Sequence, residues 1–140
     1  MIGVGDLRLG DIVQTKVMGE NKLGSVSGIA IGTSRIFLQI SDICNFVDTL
    51  LTEVEGVLLT PEILEKNGWI STHDSSSADV FCFKGKGPFY ITLKRNIVGM
   101  ENVFDFKIGD SSYCFGNKLK YVHELQHILW ALGLNAEIEV

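Results

Sequence analysis

The sequence predicts an α+β domain: an N-terminal curled (SH3-like) antiparallel β-meander, a short central helix, and a second antiparallel β-sheet with a C-terminal helix packed on it. Three observations carry this. Segments alternating with period two stand both before and after one well-capped short helix, and no β-α-β alternation is present. The 15 glycines and 8 phenylalanines among 140 residues suit short strands joined by tight turns. A hydrophobic share of 46% against 21% charged, with two prolines, excludes intrinsic disorder. The length is that of one domain, read as residues 1–140 with an N-terminal β subdomain over 1–58 and the remainder over 59–140.

Asp11 to Val17, Ser25 to Ile31 and Arg35 to Ile40 alternate apolar with small or polar residues and are expected as strands. Short glycine-bearing loops at Gly19, Gly24 and Gly32 would join them into a meander. Ser41 to Leu51 supports two readings. Ile43, Phe46, Val47, Leu50 and Leu51 fall at helical spacing behind a capping Ser41, while the β-branched and aromatic content suits a strand.

Thr60-Pro61-Glu62 is a helix start: a Thr N-cap, Pro at the first helical position and an acid in the first turn. The helix is expected to end near Asn67, with Gly68 supplying the left-handed residue beyond it and Trp69 and Ile70 leading into extended chain. Ser75 to Ser77 reads as a loop. Val80 to Phe83, Phe89 to Leu93, Val103 to Phe106 and Tyr113 to Phe115 read as strands, with turns at Gly85 to Pro88, Gly99 and Gly109-Asp110. A closing helix is expected from Lys118 to Leu132. Its apolar stripe is Tyr121, Leu125, Ile128, Leu129 and Leu132, and Gly133 is its stop. Ala136 to Val140 would follow as a final strand or a frayed tail.

Seventeen acidic against twelve basic residues leave a net charge of −5, which opposes general nucleic-acid binding. One local exception is Lys84, Lys86, Lys94 and Arg95 around Phe89 and Tyr90, a basic and aromatic patch or simply a solvated hairpin face. Cys44, Cys82 and Cys114 form neither a C-x-x-C pair nor a disulfide framework and are expected as buried thiols in a reducing cytoplasm. Charges at Asp6, Arg8, Asp11 and Lys16 interrupt the first twenty residues, so no secretion signal is read there, and no apolar run is long enough to cross a membrane.

The sharpest chemical feature is His123-Glu124-Leu125-Gln126-His127, an H-E-x-x-H on the closing helix. On a helix the two imidazoles lie one turn apart and can share Zn²⁺, and the glutamate can act as base toward a bound water. A catalytic zinc needs a third ligand. The metzincin continuation fails, because Gly133 stands where a third histidine would be required. That leaves Glu137, which a returning chain could bring to the histidines' level; His73, Asp105 and Asp110 have no spacing that singles them out. The competing reading places both histidines on the helix flank as structural residues.

Three segments, Asp6-Leu7-Arg8-Leu9-Gly10-Asp11-Ile12-Val13, the run from Leu59 to Trp69, and Lys120-Tyr121-Val122-His123-Glu124-Leu125-Gln126, resemble an uncharacterised family of small proteins from Bacteroidetes genomes and their phages. They are similar to that family's "LRIGN-V", "PLT-E-L-K-GF" and "YVH-LQ" segments in order and spacing, strongly over about thirty residues. The resemblance implies that His123, Leu125 and Gln126 are recurrent positions. The positions of Glu124 and His127 often hold other residues in that family, such as Gln and Asn, which speaks against a shared zinc chemistry. Together with the small size, the acidity and the lack of a convergent catalytic set, the resemblance points to a non-enzymatic phage or mobile-element accessory protein, expected without a cofactor, that binds a host protein or small ligand to counter host defence. Trp69, Tyr90, Lys94, Arg95 and His123 are the candidate binding residues. The alternative is a minimal zinc-dependent hydrolase with Glu124 as base and His123, His127 and Glu137 as ligands. Trp69, Trp130 and several phenylalanines either line a homodimer seam or ligand groove, or all belong to the core.

Overall fold

The computed structural model describes residues 2–30, 32–40, 45–75, 78–84, 90–96, 103–108 and 118–140. The chain divides into two compact units, Met1–Val57 and Leu58–Val140. Mostly antiparallel β-structure in two sheets, with a C-terminal helix, gives the α+β class that the period-two segments predict.

The first unit holds strands β1 (Ile12–Val17), β2 (Glu20–Ala30), β3 (Arg35–Ile40), β4 (Asn45–Leu50) and β5 (Val54–Gly56). They form one five-stranded sheet in the order β4-β3-β2-β1-β5. Alternation fixes the faces. Ile36, Leu38 and Ile40 of β3 point inward beside Val13, Val26 and Val54, with Ile2 and Leu7 closing the cluster. The β1–β2 loop is two residues long. Met18 and Gly19 both take positive φ, as in the type I′ turn whose twist matches the flanking strands.

Gly24 is not a loop residue: it sits within β2, paired with Val13 and Ile40. A Cβ there would lie 2.9 Å from Ile40 Cδ1 and 3.2 Å from the Gln39 carbonyl, so glycine is set by close packing rather than by a turn. Asn45 to Leu50 is a strand, which resolves the two readings of that segment; residues 41–44 lie outside the described residues, as does Ile31. Tertiary pairing with β3 decided it, since six residues of mixed period carry no helical commitment of their own.

β4 and β5 occupy opposite ends of the ladder yet are joined by a single 3-10 turn, Leu51–Glu53. Five flat strands would hold these ends about 19 Å apart, at about 4.8 Å per strand, which is beyond the reach of a three-residue turn rising about 2 Å per residue. The sheet therefore curls strongly. Among the described residues it does not close, because β4 and β5 do not pair.

The opening motif has a structural role. Asp11, buried, accepts a 2.7 Å bond from the Arg8 amide through its carboxylate, and its own carbonyl receives the Val26 amide. Gly10, at φ 90°, donates to the Val26 carbonyl. The motif thus ties the N-terminal segment to β2.

The second unit opens with helix α1 (Pro61–Lys66), where Thr60 Oγ1 accepts from the Ile63 amide and Pro61 takes the first helical position. Its end is a Schellman turn. Trp69 N–H reaches the Leu64 carbonyl and Gly68 N–H the Glu65 carbonyl, with Gly68 at φ 84°. A four-stranded meander follows: β6 (Ile70–Ser75), β7 (Ala78–Lys84), β8 (Tyr90–Asn96) and β9 (Phe104–Ile108). One face carries buried Phe81, Ile91, Leu93, Phe104 and Phe106, with Phe81 edge-on to Phe104 at 6.0 Å. Ser75, expected in a Ser75–Ser77 loop, instead ends β6, because the pairing with β7 continues to Ala78; Ser76-Ser77, the turns at 85–88, 99 and 109–110, and the expected strand at 113–115 lie outside the described residues.

Helix α2 runs Val122–Ala131, starting four residues later than its apolar periodicity predicts. The reason is long-range pairing. Leu119 exchanges both backbone bonds with Phe104 at 2.8 Å, and Tyr121 bridges Leu58, so residues 118–121 are extended. The buried side is Val122, His123, Leu125, Gln126 and Leu129, a stripe rotated from the expected one, with Ile128 only partly covered. Gly133, at φ 69°, ends the helix in a second Schellman turn through Leu134 N–H to the Leu129 carbonyl. Residues 136–140 form neither a ladder strand nor a frayed end; side chains of α1 and α2 hold them.

Candidate functional site

The H-E-x-x-H lies within α2, where Glu124 and His123 make local structural contacts. Glu124 is the third residue of the helix. One of its carboxylate oxygens accepts the amides of Lys120 at 2.7 Å and Tyr121 at 2.9 Å. This is the backward-reaching half of a capping box, which satisfies donors that the helix start leaves without an intrahelical acceptor. His123 is 4% exposed and stacks flat on Tyr121, with ring centroids 5.6 Å apart and planes 12° from parallel. His127, partly exposed, stands edge-on to His123 at 5.8 Å.

The chain beyond Gly133 does return along the helix. It meets α2 at Gln126, whose amide donates to the Ala136 carbonyl at 3.1 Å. Glu137 is exposed, and its amide donates to Asn135 Oδ1. Among the described residues no three His, Cys, Asp or Glu side chains are grouped to hold a metal ion. Asp110 lies outside those residues, and the side chain of His73 is not described.

The expected basic patch is divided by strand alternation. Lys94 and Arg95 are successive residues of β8 and so point to opposite faces. Arg95 lies directly opposite Asp79 of β7 and binds it at 2.6 Å, with both side chains largely covered at 22% and 17% exposure. Lys94 is exposed opposite Asp105. Tyr90 opens β8 in register with Lys84, while Lys86 and Phe89 lie outside the described residues. Trp69 is buried, its ring 5.1 Å from Phe83; Trp130 is 66% exposed on α2. Cys82 is a free, partly buried thiol.

Near Arg95 electrostatics acts on Glu62. Its carboxyl is held below the ordinary glutamate range, first by its own backbone N–H, then by the Thr60 hydroxyl, with a smaller pull from Arg95.

Two features were missed from the sequence, both on the first unit. On the outer face of β3 and β4, Phe37 (39% exposed), Phe46 (69%) and Leu50 (41%) stand around the cross-strand ion pair of Arg35 and Asp48 at 2.8 Å. The Asp48 hydrogen bond and charge raise the Arg35 pKa above the ordinary arginine value. The Phe37 ring lies over Gly28, where a Cβ would come within 3.2 Å of it. The signal was in plain alternation: in Arg35-Ile36-Phe37-Leu38-Gln39-Ile40 the outward positions hold a phenylalanine. The second feature is a polar depression of about 260 Å³ lined by Gln14, Thr15, Lys16, Asn21, Glu53 and Glu55. The pairing of β1 with β5 brings Glu53 and Glu55 beside Gln14, Thr15 and Lys16, and the β1–β2 hairpin adds Asn21 opposite Lys16.

No helix among the described residues is long and apolar enough to cross a membrane. A scan against protein-family models, a search of curated proteins and a search of solved structures each returned no match.

Proposed function

We propose that this chain is a non-enzymatic binding protein whose first unit presents the outer face of β3 and β4 to a protein partner. The observation that carries the reading is the grouping of Phe37, Phe46 and Leu50 around the Arg35–Asp48 pair. Aromatic and aliphatic side chains left in water beside an ordered arginine have the composition of an interface centre. Strand order supports the same reading: β4 is an end strand of its sheet, so its outer face is accessible along one side. A four-strand meander, a 3-10 turn and a fifth strand returned to β1 are the connectivity of SH3-like modules, which is how we read this unit. The role of Glu124 as a helix cap supports a binding protein over a zinc hydrolase.

On the segment resemblance we take the partner to be a host protein and the chain to be a phage or mobile-element accessory protein acting in the bacterial cytoplasm. The test is affinity capture from a Bacteroidetes lysate with three tagged chains: the natural protein, Phe46→Asp, and Met18→Asp as an exposed control on the β1–β2 turn. The expected result is one stoichiometric partner retained by the natural chain and the Met18 variant and lost by Phe46→Asp. Equal capture by all three overturns the assignment of this face.

A further inference from the structure

The last seven residues are held in an unusual way. Beyond Leu134 no backbone-to-backbone hydrogen bond is made among the described residues, and side chains supply the contacts instead. Asn67, at the end of α1, treats Glu139 as a neighbouring strand would: its Nδ2 donates to the Glu139 carbonyl at 2.7 Å and its Oδ1 accepts the Glu139 amide at 2.8 Å. Gln126 of α2 donates to the Ala136 carbonyl. Lys66 donates to the Val140 carbonyl at 3.3 Å and pairs with the Glu139 carboxylate at 3.2 Å. Between these points Ile138 is the single buried apolar anchor.

Such a set reads the backbone of any extended chain and adds two side-chain preferences, apolar then acidic. That is the logic of strand-addition peptide recognition, in which main-chain bonds give affinity and alternate side chains give specificity. Release is also provided for. The segment leaves α2 through the Gly133 turn, its ion pair is exposed and salt-screened, and ordering seven residues opposes a handful of bonds. We propose that Lys66, Asn67 and Gln126 form a receptor for an extended peptide bearing an apolar residue followed by an acidic one, and that residues 134–140 fill it in cis as a displaceable strap. This site lies in the second unit and shares no residue with the β3–β4 face, so either can fail alone.

The test uses the full chain and a fluorescent peptide of sequence Leu-Asn-Ala-Glu-Ile-Glu-Val, corresponding to residues 134–140. Ile138→Asp in the protein removes the anchor and vacates the slot. Anisotropy is expected to show at least ten-fold tighter peptide binding to this variant than to the natural chain. The gain should vanish in Ile138→Asp/Asn67→Ala and with a peptide carrying aspartate in place of isoleucine. No gain in a variant that retains its helical circular dichroism overturns the proposal, as does a gain that survives Asn67→Ala. If Ile138→Asp unfolds the protein, native-state hydrogen exchange of the natural chain decides. A Glu139 amide opening at least 100-fold more often than the Leu125 and Leu129 amides supports a strap, and opening in step with them overturns it.

Discussion

Replacing Glu124 separates the two roles an H-E-x-x-H glutamate can have. As a cap, its carboxylate serves the Lys120 and Tyr121 amides at 2.7 and 2.9 Å. Glu124→Ala leaves both to water at a partly buried helix start. Loss of a cap costs about 0.5–2 kcal/mol, and charge-assisted bonds near a helix N-terminus favour the middle of that range, so about 1–1.5 kcal/mol is expected. Glu124→Gln keeps an acceptor oxygen in the same place and gives up the charge, so about 0.5 kcal/mol is expected. Urea denaturation followed by circular dichroism reads both values, and the alanine variant should melt about 4 °C lower. A catalytic base behaves in the opposite way: Glu124→Gln would leave stability and metal content untouched and abolish hydrolysis. An alanine variant as stable as the natural protein, or one equivalent of zinc in protein purified without chelator, would refute the capping argument.

Gly24→Ala pushes a methyl against Ile40 Cδ1 and the Gln39 carbonyl in the first unit's core, and a loss of about 1–3 kcal/mol is expected by urea denaturation. Met18→Asn places a residue that tolerates left-handed backbone at the first position of the Met18-Gly19 turn. It should stabilise by about 0.5 kcal/mol, while the exposed methionine it removes contributes no packing. Glu62 should titrate below ordinary glutamates by NMR. Because its folded pKa is lowered, its contribution to stability is present above the unfolded value and lost as pH falls through the folded one, and Glu62→Gln should remove that part of the acid dependence.

Features governed by residues a few positions apart were determined by the sequence alone. Thr60, Pro61 and Gly68 bound α1 because an N-cap, a fixed φ and a left-handed C′ residue act within one turn. Gly133 ends α2 for the same reason, and alternation assigns the inward residues of β1 and β3 because a strand's two faces are set by its own pleat. Tertiary structure decided what depends on partners remote in the chain. Phe104, fifteen residues before Leu119, and Leu58, opposite Tyr121, hold residues 118–121 extended and delay α2, which turns a motif glutamate into a cap. Asp79 claims Arg95 on one face of β8, while Lys94 stands on the other, opposite Asp105. Asn67 anchors Glu139 across 72 positions, where local propensity alone allowed a strand or a frayed end. A side chain's chemistry is written in its type, but whether that chemistry faces a ligand or another residue is set by which distant backbone arrives beside it.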